Sequence, residues 1–284
     1  MRKEKLEKRR CRYLFRWWGR FSYGHRKTMK ISSKTGVLVT GGASGLGLAV
    51  VEKFVSLGAK VAVFDMNEDE GSKIAGKLGI TFKKVDVSDP KSVADGLGTI
   101  RESIGQESVC VNCAGIGFSQ KTVSKGRNHQ FELFDKTIRI NLIGTFNVAS
   151  QSALGMSEQG GVLSDDQEKG VIINTASVAA FDGQIGQIAY SASKGGVVGM
   201  TLPMARDLAQ NGIRVVTIAP GLFSTPMLRS LPEDVQDALG KSVPFPPRLG
   251  TPSEFAQLSV QIVENAMLNG ETIRLDGAIR MAPK

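Results

Sequence analysis

A glycine-rich turn between a buried strand and a helix is the feature that most constrains the fold of this chain. Residues 37–40 read as a short apolar strand, and Gly41-Gly42-Ala43-Ser44-Gly45-Leu46-Gly47 follows directly. Apolar residues at helical spacing then run from Leu46 to Leu57, and Gly58 is typical of a helix end. Glycines in this context let the backbone approach a pyrophosphate at a helix N-terminus, although an ordinary tight turn is the alternative for the glycines alone.

A second apolar strand, Val61-Ala62-Val63-Phe64, ends in Asp65. A carboxylate at this place accepts hydrogen bonds from a ribose 2′-hydroxyl and repels a 2′-phosphate. Strand, loop, helix and carboxylate together favour a dinucleotide site over an ordinary turn, and they predict NAD rather than NADP as the cofactor.

Apolar strands and helical segments alternate along the rest of the chain. Further strands are predicted at 80–87, 109–112, 171–174, 213–219 and 271–275. This alternation is typical of α/β proteins, and it predicts a single Rossmann-type doubly wound parallel sheet with helices on both faces, formed by residues 31–284. A domain of this length buries a core readily, and Pro203 is expected to kink or loosen one of its helices.

The sequence Tyr190-Ser191-Ala192-Ser193-Lys194 places a phenol and an ammonium four residues apart. On a helix both groups lie on one face, about one turn apart. A free phenol titrates near pH ~10, and a neighbouring cation favours its ionised form. Lys194 could therefore lower the pKa of Tyr190, while a solvated pair on a helix surface is the alternative for this pattern alone.

From about residue 34 to the C-terminus the chain resembles the short-chain dehydrogenase/reductase family. The motifs that carry the resemblance are, in chain order, Thr40–Gly47, Asp86-Val87, Asn112-Cys113-Ala114-Gly115, Asn141, Ser177, Tyr190 with Lys194, and Pro220-Gly221. Three longer stretches are similar to one subgroup, the type-2 3-hydroxyacyl-CoA dehydrogenases, also called type-10 hydroxysteroid dehydrogenases. These stretches are 171–181, 217–223 and 275–281.

The resemblance implies four catalytic residues. Tyr190 would be the general acid/base, and Lys194 would lower its pKa and hold the nicotinamide ribose. Ser177 would donate a hydrogen bond to the substrate oxygen as charge develops on it. Asn141, in a helix, would bind a water that relays protons towards Lys194, although a lone asparagine in a helix is more often solvated or capping.

The resemblance also implies the residues around NAD. Ser44 and Leu46 would line the pyrophosphate loop with Gly41, Gly45 and Gly47. Asp86 and Val87 would flank the adenine, and the alternative for Asp86 is the N-cap of the next helix. Cys113 would contact the cofactor through its backbone, and Phe223 would reach the nicotinamide side.

Two other chemistries are disfavoured. Cys110 and Cys113 have CxxC spacing, but an odd offset in a strand puts their side chains on opposite faces, so neither a metal site nor a dithiol is expected. Three scattered cysteines also indicate a reducing compartment without disulfides. A Ser/His/Asp hydrolase is disfavoured because His129 is the only histidine after residue 30 and no GxSxG motif is present.

Substrate specificity is expected in two irregular regions, because loops at the carboxyl ends of the strands form the substrate side of such sheets. The first, residues 117–130, carries Lys121, Lys125 and Arg127. The second is the substrate loop, residues 222–250. Cations here could meet the phosphates of coenzyme A, and a solvated surface loop is the alternative for the basic region. The polar stretch 157–170 is expected to be only a surface excursion.

Positive charge is concentrated at the N-terminus. Residues 1–30 hold 12 Lys and Arg against 2 Asp and Glu, so the rest of the chain is nearly neutral. Arginines beside aromatic residues predict a basic amphipathic helix that lacks the apolar run needed to span a membrane. This extension is interpreted as a mitochondrial transit peptide; the alternatives are a start-site extension with initiation at Met29, and a membrane or nucleic-acid contact.

The sequence and the resemblance together predict an NAD-dependent dehydrogenase that oxidises the 3-hydroxyl of short or 2-methyl-branched acyl-CoA esters. Hydroxysteroids are a secondary substrate class, and the family implies a homotetramer. One alternative is reduction of another ketone or of a 3-oxoacyl carrier. The other, also implied by the subgroup, is a non-catalytic subunit that binds protein partners in mitochondrial tRNA processing. The role in tRNA processing should persist in a Tyr190→Phe variant, whereas dehydrogenase or reductase activity should be lost.

Overall fold

The computed structural model describes residues 28–159 and 161–283, and a seven-stranded parallel sheet lies at its centre. The strands in chain order are β1 (Gly36–Thr40), β2 (Lys60–Asp65), β3 (Thr81–Lys84), β4 (Val109–Asn112), β5 (Val123–Ser124), β6 (Arg127–Asn128), β7 (Gly170–Thr175), β8 (Ile213–Pro220) and β9 (Thr272–Leu275). The sheet order is β3-β2-β1-β4-β7-β8-β9, and β5 and β6 form a separate antiparallel hairpin. The doubly wound fold predicted from the sequence is confirmed.

Helices cover both faces of this sheet. They are α1 (Gly45–Ser56), α2 (Glu68–Leu78), α3 (Pro90–Ile104), α4 (Phe131–Ile138), α5 (Gly144–Gln159), α6 (Ile188–Asp207), α7 (Pro226–Arg229), α8 (Glu233–Lys241) and α9 (Pro252–Glu264). A π-helical turn, Arg139–Ile143, joins α4 to α5, and a 3₁₀ turn, Val178–Ala180, follows β7.

Strand residues alternate between two hydrophobic layers. Val37 and Val39 pack with α1 and α9, whereas Leu38 between them packs with α3, α5 and α6. Both faces are buried, which explains why the strands read as continuous apolar runs. Cys110 belongs to the second layer and Cys113 packs against the first, so the two thiols lie on opposite sides of the sheet as predicted.

The strand order creates a crevice between the carboxyl ends of β1 and β4. The chain moves outward from β1 to β3 and then returns to β4 on the other side of β1, and ligands bind at such a switch point. The backbone N–H of Cys113 donates to the Thr40 carbonyl over 3.1 Å, and that of Ala114 donates to Thr40 Oγ1 over 3.1 Å. The glycine turn and the Asn112–Gly115 stretch therefore meet at this crevice.

Some elements differ from the sequence predictions. The strand predicted at 80–87 is shorter because the Asp86 N–H leaves the sheet to bond Ser92 Oγ over 3.1 Å. Helix α6 continues through Pro203 to Asp207, and the kink or loosened turn expected there stays a prediction. The basic region 117–130 contains the β5–β6 hairpin, and the substrate loop contains both α7 and α8.

The polar stretch 157–170 is more than the surface excursion that was expected. Glu168 is 5% exposed, and its Oε1 accepts a hydrogen bond of 2.7 Å from Arg214 Nε. Burial raises the pKa of Glu168 in spite of this partner. Arg214 also donates to carbonyls at the end of α9, those of Ile262, Val263, Asn265 and Leu268, where a cation complements the helix dipole. The stretch is therefore anchored to the core.

The basic segment 1–30 lies outside the described residues except for its last three. Among these, the Met29 side chain is 2% exposed and packs in the same layer as Val39, so the core begins before the predicted boundary at residue 31. Mitochondrial targeting rests on that segment and stays a prediction. Within the described ranges, no helix combines the length and apolarity needed to cross a bilayer.

Candidate active site

A cavity of about 450 Å³ lies at the carboxyl ends of β1 and β4. Its walls include every site residue predicted from the sequence except Asn141. These are Gly41, Ser44, Gly45, Leu46, Gly47, Asp65, Asp86, Val87, Cys113, Ser177, Tyr190, Lys194 and Phe223. The topology thus brings together residues that are up to 182 positions apart in the chain.

Two glycines of the turn, Gly41 and Gly47, leave no space for a side chain beneath the cavity. Gly41 has a φ of 64°, and an added Cβ would lie 2.7 Å from the Ala114 nitrogen. A Cβ on Gly47 would collide with the Gly41 carbonyl oxygen. Ser44 stands at the N-cap of α1, and within the described chain its side chain does not cap the helix. The first-turn N–H groups are therefore available to an anion, and the turn fits a pyrophosphate.

Asp65 lies against this turn. One carboxylate oxygen accepts a hydrogen bond from the Ala43 N–H over 3.0 Å, and the other accepts one from the Asn67 N–H over 3.0 Å. The negative charge is thereby fixed at the edge of the cavity, where the ribose of a dinucleotide is expected next to the pyrophosphate.

Asp86 and Val87 form the opposite wall. Asp86 Oδ1 accepts hydrogen bonds from the N–H and the hydroxyl of Ser88, at 2.9 and 2.7 Å. The N-cap of α3 is Asp89 instead, so the alternative role considered for Asp86 does not apply. Asn147 Nδ2 donates to the Val87 carbonyl over 2.7 Å, which holds Val87 at the cavity from behind.

Ser177 and Tyr190 both line the cavity, and the Ser177 hydroxyl acts to lower the pKa of Tyr190. Ser177 Oγ accepts a hydrogen bond from the Ala179 N–H over 3.1 Å, which holds the hydroxyl in the cavity wall. Burial nevertheless raises the pKa of Tyr190. The Lys194 Nζ lies 5.8 Å from the centroid of the phenol ring, and the lowering of the Tyr190 pKa by this lysine stays a prediction.

Lys194 is 4% exposed, so it is not part of a solvated surface pair. Its Nζ donates to the Thr175 carbonyl over 2.7 Å, at the end of β7. Burial lowers the pKa of Lys194 to about 8. Burial also raises the pKa of the neighbouring Cys113 to about 11, and Thr175 Oγ1 donates to Cys113 Sγ over 3.5 Å, so this thiol stays protonated at neutral pH.

Asn141 lies behind the cavity in the π-helical turn, not in a regular α-helix. Its Oδ1 accepts from the Ile116 N–H over 2.8 Å, and its Nδ2 donates to the Ile116 carbonyl over 2.8 Å. A Cβ added to Gly115 would lie 3.2 Å from Asn141 Oδ1 and 3.5 Å from Lys194 Nζ. Asn141 is therefore buried beside the lysine and is neither solvated nor capping. π-Helical turns are frequent at functional sites.

Phe223 contributes to the cavity in a different way from that expected. Its side chain is 5% exposed and belongs to the core layer of α1 and α9, and an added Cβ on Gly250 would lie 2.9 Å from its ring. The ring thus forms part of the cavity wall while it supports the start of the substrate loop.

The β5–β6 hairpin and the residues on either side of it, 119–130, are called the basic hairpin below. A second, open hollow of about 690 Å³ lies on this basic hairpin. Lys121, Lys125 and Arg127 line it, all three exposed. The Gln120 N–H donates to the Gly186 carbonyl over 2.9 Å, which attaches the hairpin to the chain just before α6.

Three site residues were not found from the sequence. Thr175 positions Lys194 through its carbonyl, Ile116 holds Asn141 through its backbone, and Ser193 accepts a hydrogen bond from Asn141. Two of these act through backbone atoms, which no side-chain pattern can mark. Ser193 was visible only as a polar residue inside the Tyr190–Lys194 motif.

Known proteins resemble this chain over most of its length. The sequence profile of the short chain dehydrogenases matches residues 35–236. A Bos taurus protein named 3-hydroxyacyl-CoA dehydrogenase type-2 is 54% identical over 254 residues, covering 87% of this chain and 95% of its own. A Drosophila melanogaster protein of the same name is 53% identical, with 87% and 97% coverage. The crystal structure of a 3-hydroxyacyl-CoA dehydrogenase type-2 from Mycobacterium avium matches with a TM-score of 0.83, 38% identity, and coverage of 88% and 97%.

The fold and the sequence similarity lead to the same family. A glycine turn with two positions closed to side chains lines the same cavity as a buried lysine, Ser177 and Tyr190, and this geometry suits a nicotinamide dinucleotide. The chain therefore belongs to the short-chain dehydrogenase family and is a nicotinamide-dependent oxidoreductase.

Proposed function

We propose that this enzyme oxidises the 3-hydroxyl of short or 2-methyl-branched 3-hydroxyacyl-CoA esters to the 3-oxo esters, with NAD as the oxidant. The observation that carries the proposal is the convergence of Ser177, Tyr190 and Lys194 on a cavity that also contains the glycine turn and Asp65. The bovine and fly relatives carry the name of this activity, which supports the choice of substrate.

Each of the three residues Ser177, Tyr190 and Lys194 has a separate role in the proposed reaction. Ser177 donates a hydrogen bond to the substrate oxygen and keeps its proton, and the bond from the Ala179 N–H to its Oγ holds the hydroxyl in place. Tyr190, as phenolate, takes the proton of the substrate hydroxyl. Lys194, when protonated, favours that phenolate and would contact the nicotinamide ribose. When bound, the nicotinamide ring supplies the hydride acceptor. Because burial raises the pKa of Tyr190, removal of its proton depends on nearby positive charge.

The preference for NAD is inferred from Asp65. Its two oxygens are fixed by the Ala43 and Asn67 N–H groups, so the carboxylate cannot turn away from the ribose position. A 2′-phosphate there would meet a fixed negative charge, whereas a 2′-hydroxyl would donate to it.

Recognition of coenzyme A is assigned to the basic hairpin. Lys121, Lys125 and Arg127 line one open hollow, and cations in such a hollow suit phosphate groups. The hairpin is bonded to Gly186 just before the helix of Tyr190, so a ligand that spans the two regions would approach the catalytic residues. Hydroxysteroids lack such phosphates and would use the apolar part of the site as secondary substrates.

A homotetramer is also proposed. Helices α5 and α6 expose apolar side chains to solvent, among them Phe146, Leu154 and Leu202 at 53%, 58% and 44%. Burial of such residues against a second copy would stabilise an assembly, and light scattering of the purified chain tests the mass.

The first experiment measures NADH formation by the full chain with NAD and 3-hydroxybutyryl-CoA, beside Tyr190→Phe and with NADP in place of NAD. Turnover with NAD that is lost in Tyr190→Phe is the expected result, because phenylalanine keeps the ring but cannot exchange a proton. Equal activity of Tyr190→Phe, or a wild type that binds NAD and oxidises neither this ester nor a hydroxysteroid, would overturn the proposal.

A further inference from the structure

We propose that Arg274 is a positioning residue for the catalytic pair, and that it acts through residues 181–187, the segment that links Ser177 to Tyr190. The chain passes through this linking segment on its way from Ser177 to Tyr190. The inference deepens the proposed function, and its kinetic test rests on that function.

Tyr190 depends on the linking segment for its position. It lies in the first turn of α6, and Gln187 at the N-cap of that helix makes no side-chain capping bond within the described chain. The first N–H groups of a helix lack partners inside the helix, so an uncapped first turn is held mainly by what precedes it. A displacement of the linking segment would therefore move the phenol away from Ser177.

Arg274 binds this segment from the far edge of the sheet. It lies near the end of β9, and its Nη2 donates to Asp182 Oδ2 over 2.6 Å while its Nε donates to Asp276 Oδ2 over 2.7 Å. The guanidinium carbon also lies 5.1 Å from the centroid of the Phe181 ring. The Arg274, Asp182 and Asp276 side chains are 19%, 22% and 7% exposed, so solvent screens this charge cluster less than a surface pair.

The chain after β9 holds the same segment. Arg274 Nη2 donates to the Ile279 carbonyl over 2.9 Å, which folds residues 276–283 back towards the site. There, the Ile185 N–H donates to the Pro283 carbonyl over 3.0 Å, and Gln184 Nε2 donates to the Ala282 carbonyl over 3.0 Å. Arg274 therefore contacts the linking segment directly and also orients the residues that cover it.

Arg280 offers a matched control. It donates to the same Asp276 Oδ2 over 3.2 Å and to the Ile279 carbonyl over 2.7 Å, but its side chain is 63% exposed. Among the described residues it forms no bond with the linking segment. Arg280→Ala thus removes a cation from the same cluster and leaves the contact with Asp182 in place.

The kinetic test compares Arg274→Ala, Asp182→Asn, their double variant and Arg280→Ala in the full chain, using NAD and 3-hydroxybutyryl-CoA. Arg274→Ala and Asp182→Asn should each lower kcat by about tenfold or more, because small misplacements of catalytic groups are costly, while the Kd for NADH stays within about twofold. The double variant should be no slower than Arg274→Ala. An unchanged kcat in both single variants, or an equal loss in Arg280→Ala, would overturn the proposal.

A second readout is independent of the substrate. Hydrogen exchange of the Ile185 amide should be faster in Arg274→Ala and in Asp182→Asn than in the wild type, and unchanged in Arg280→Ala. Asp182→Asn keeps the size of the side chain, so this variant alone tests the positioning role if Arg274→Ala does not fold. Wild-type exchange at Ile185 in the folded variants would refute the positioning role. A wild type without turnover would contradict the proposed function instead, and the exchange rates would still decide this inference.

Discussion

The side-chain amide of Asn141 donates a hydrogen bond to Ser193 Oγ over 3.1 Å. The Ser193 hydroxyl gives its own proton to the Tyr190 carbonyl over 2.7 Å, so towards Asn141 it can only accept. Asn141 Nδ2 must therefore face Ser193, and Oδ1 must face the Ile116 N–H. Ser193 and the Ile116 backbone thus set the same orientation for an amide that lies next to Lys194.

Replacing Ser193 by alanine should lower kcat by about three- to tenfold. Asn141 Nδ2 would lose one of its two acceptors, and a buried donor left without a partner costs about 1–3 kcal/mol. Steady-state kinetics checks this, with Ser191→Ala as the control, because the Ser191 hydroxyl is buried without a hydrogen-bond partner in the part of the chain described. Equal losses in the two variants would show that the orientation of Asn141 is not the cause.

Asp65→Asn should reduce the preference for NADH over NADPH by about tenfold or more. The asparagine can still accept the Ala43 N–H, but it no longer repels a 2′-phosphate. Fluorescence titration of both reduced cofactors measures the two Kd values. Asp69→Asn is the control for net charge, since Asp69 is exposed in the first turn of α2. A wild type that binds NADPH as tightly as NADH would refute the role of Asp65.

Gly47→Ala should weaken NADH binding by at least about tenfold, because the added Cβ would collide with the Gly41 carbonyl and shift the turn. Gly76→Ala, in the exposed part of α2, is the matched control. Apart from its chain neighbours and the backbone of its own helix, no described atom lies within 4 Å of a Cβ there, so this variant should keep NADH affinity and gain about 0.5–1 kcal/mol of stability. Normal NADH binding by Gly47→Ala would contradict the close approach of backbone and pyrophosphate.

Lys194→Met should be inactive yet more stable than the wild type at pH 7, by about 1–2 kcal/mol. Burial lowers the pKa of Lys194 to about 8, so the charged form is costly in the folded state. The pKa shift corresponds to about 3 kcal/mol, and the lost hydrogen bond to the Thr175 carbonyl offsets part of it.

This stability difference has a defined pH dependence. The greater stability of Lys194→Met is complete below pH ~8, where the lysine is charged in both states. It falls as the pH rises towards ~10.4, where the lysine is neutral in both states, and then reverses because only the lost hydrogen bond remains. Urea unfolding at pH 7 and at pH 10 measures it. A difference of the same size at both values would indicate a packing effect instead.

The residues predicted for the cofactor side lie together around one cavity, because the features that mark them in the sequence are local. Gly41 and Gly47 are set by the short distance between backbone atoms, and Asp65 is set by the end of one strand. The apolar strands were also found, since both faces of the sheet are covered and each strand is an uninterrupted apolar run.

Contacts between distant parts of the chain could not be predicted in this way. The bond between Arg274 and Asp182 joins residues 92 positions apart, and nothing in either neighbourhood marks it. The bond from Lys194 to the Thr175 carbonyl could not be predicted for a different reason. Every residue has a backbone oxygen, so the identity of residue 175 does not indicate this role. The π-helical turn at Asn141 could not be predicted because it is short. Over so few residues, the spacing of apolar side chains does not distinguish a π-helix from an α-helix.

Met29, buried with Val39, also determines how far the chain can be shortened. The family profile begins at residue 35, and the charge distribution places the boundary at 31, so both suggest that a cut after Met29 is harmless. Losing a buried side chain of this size typically costs about 2–5 kcal/mol, a large fraction of the stability of an ordinary domain. A trimmed version for crystallisation or labelling should therefore retain this methionine.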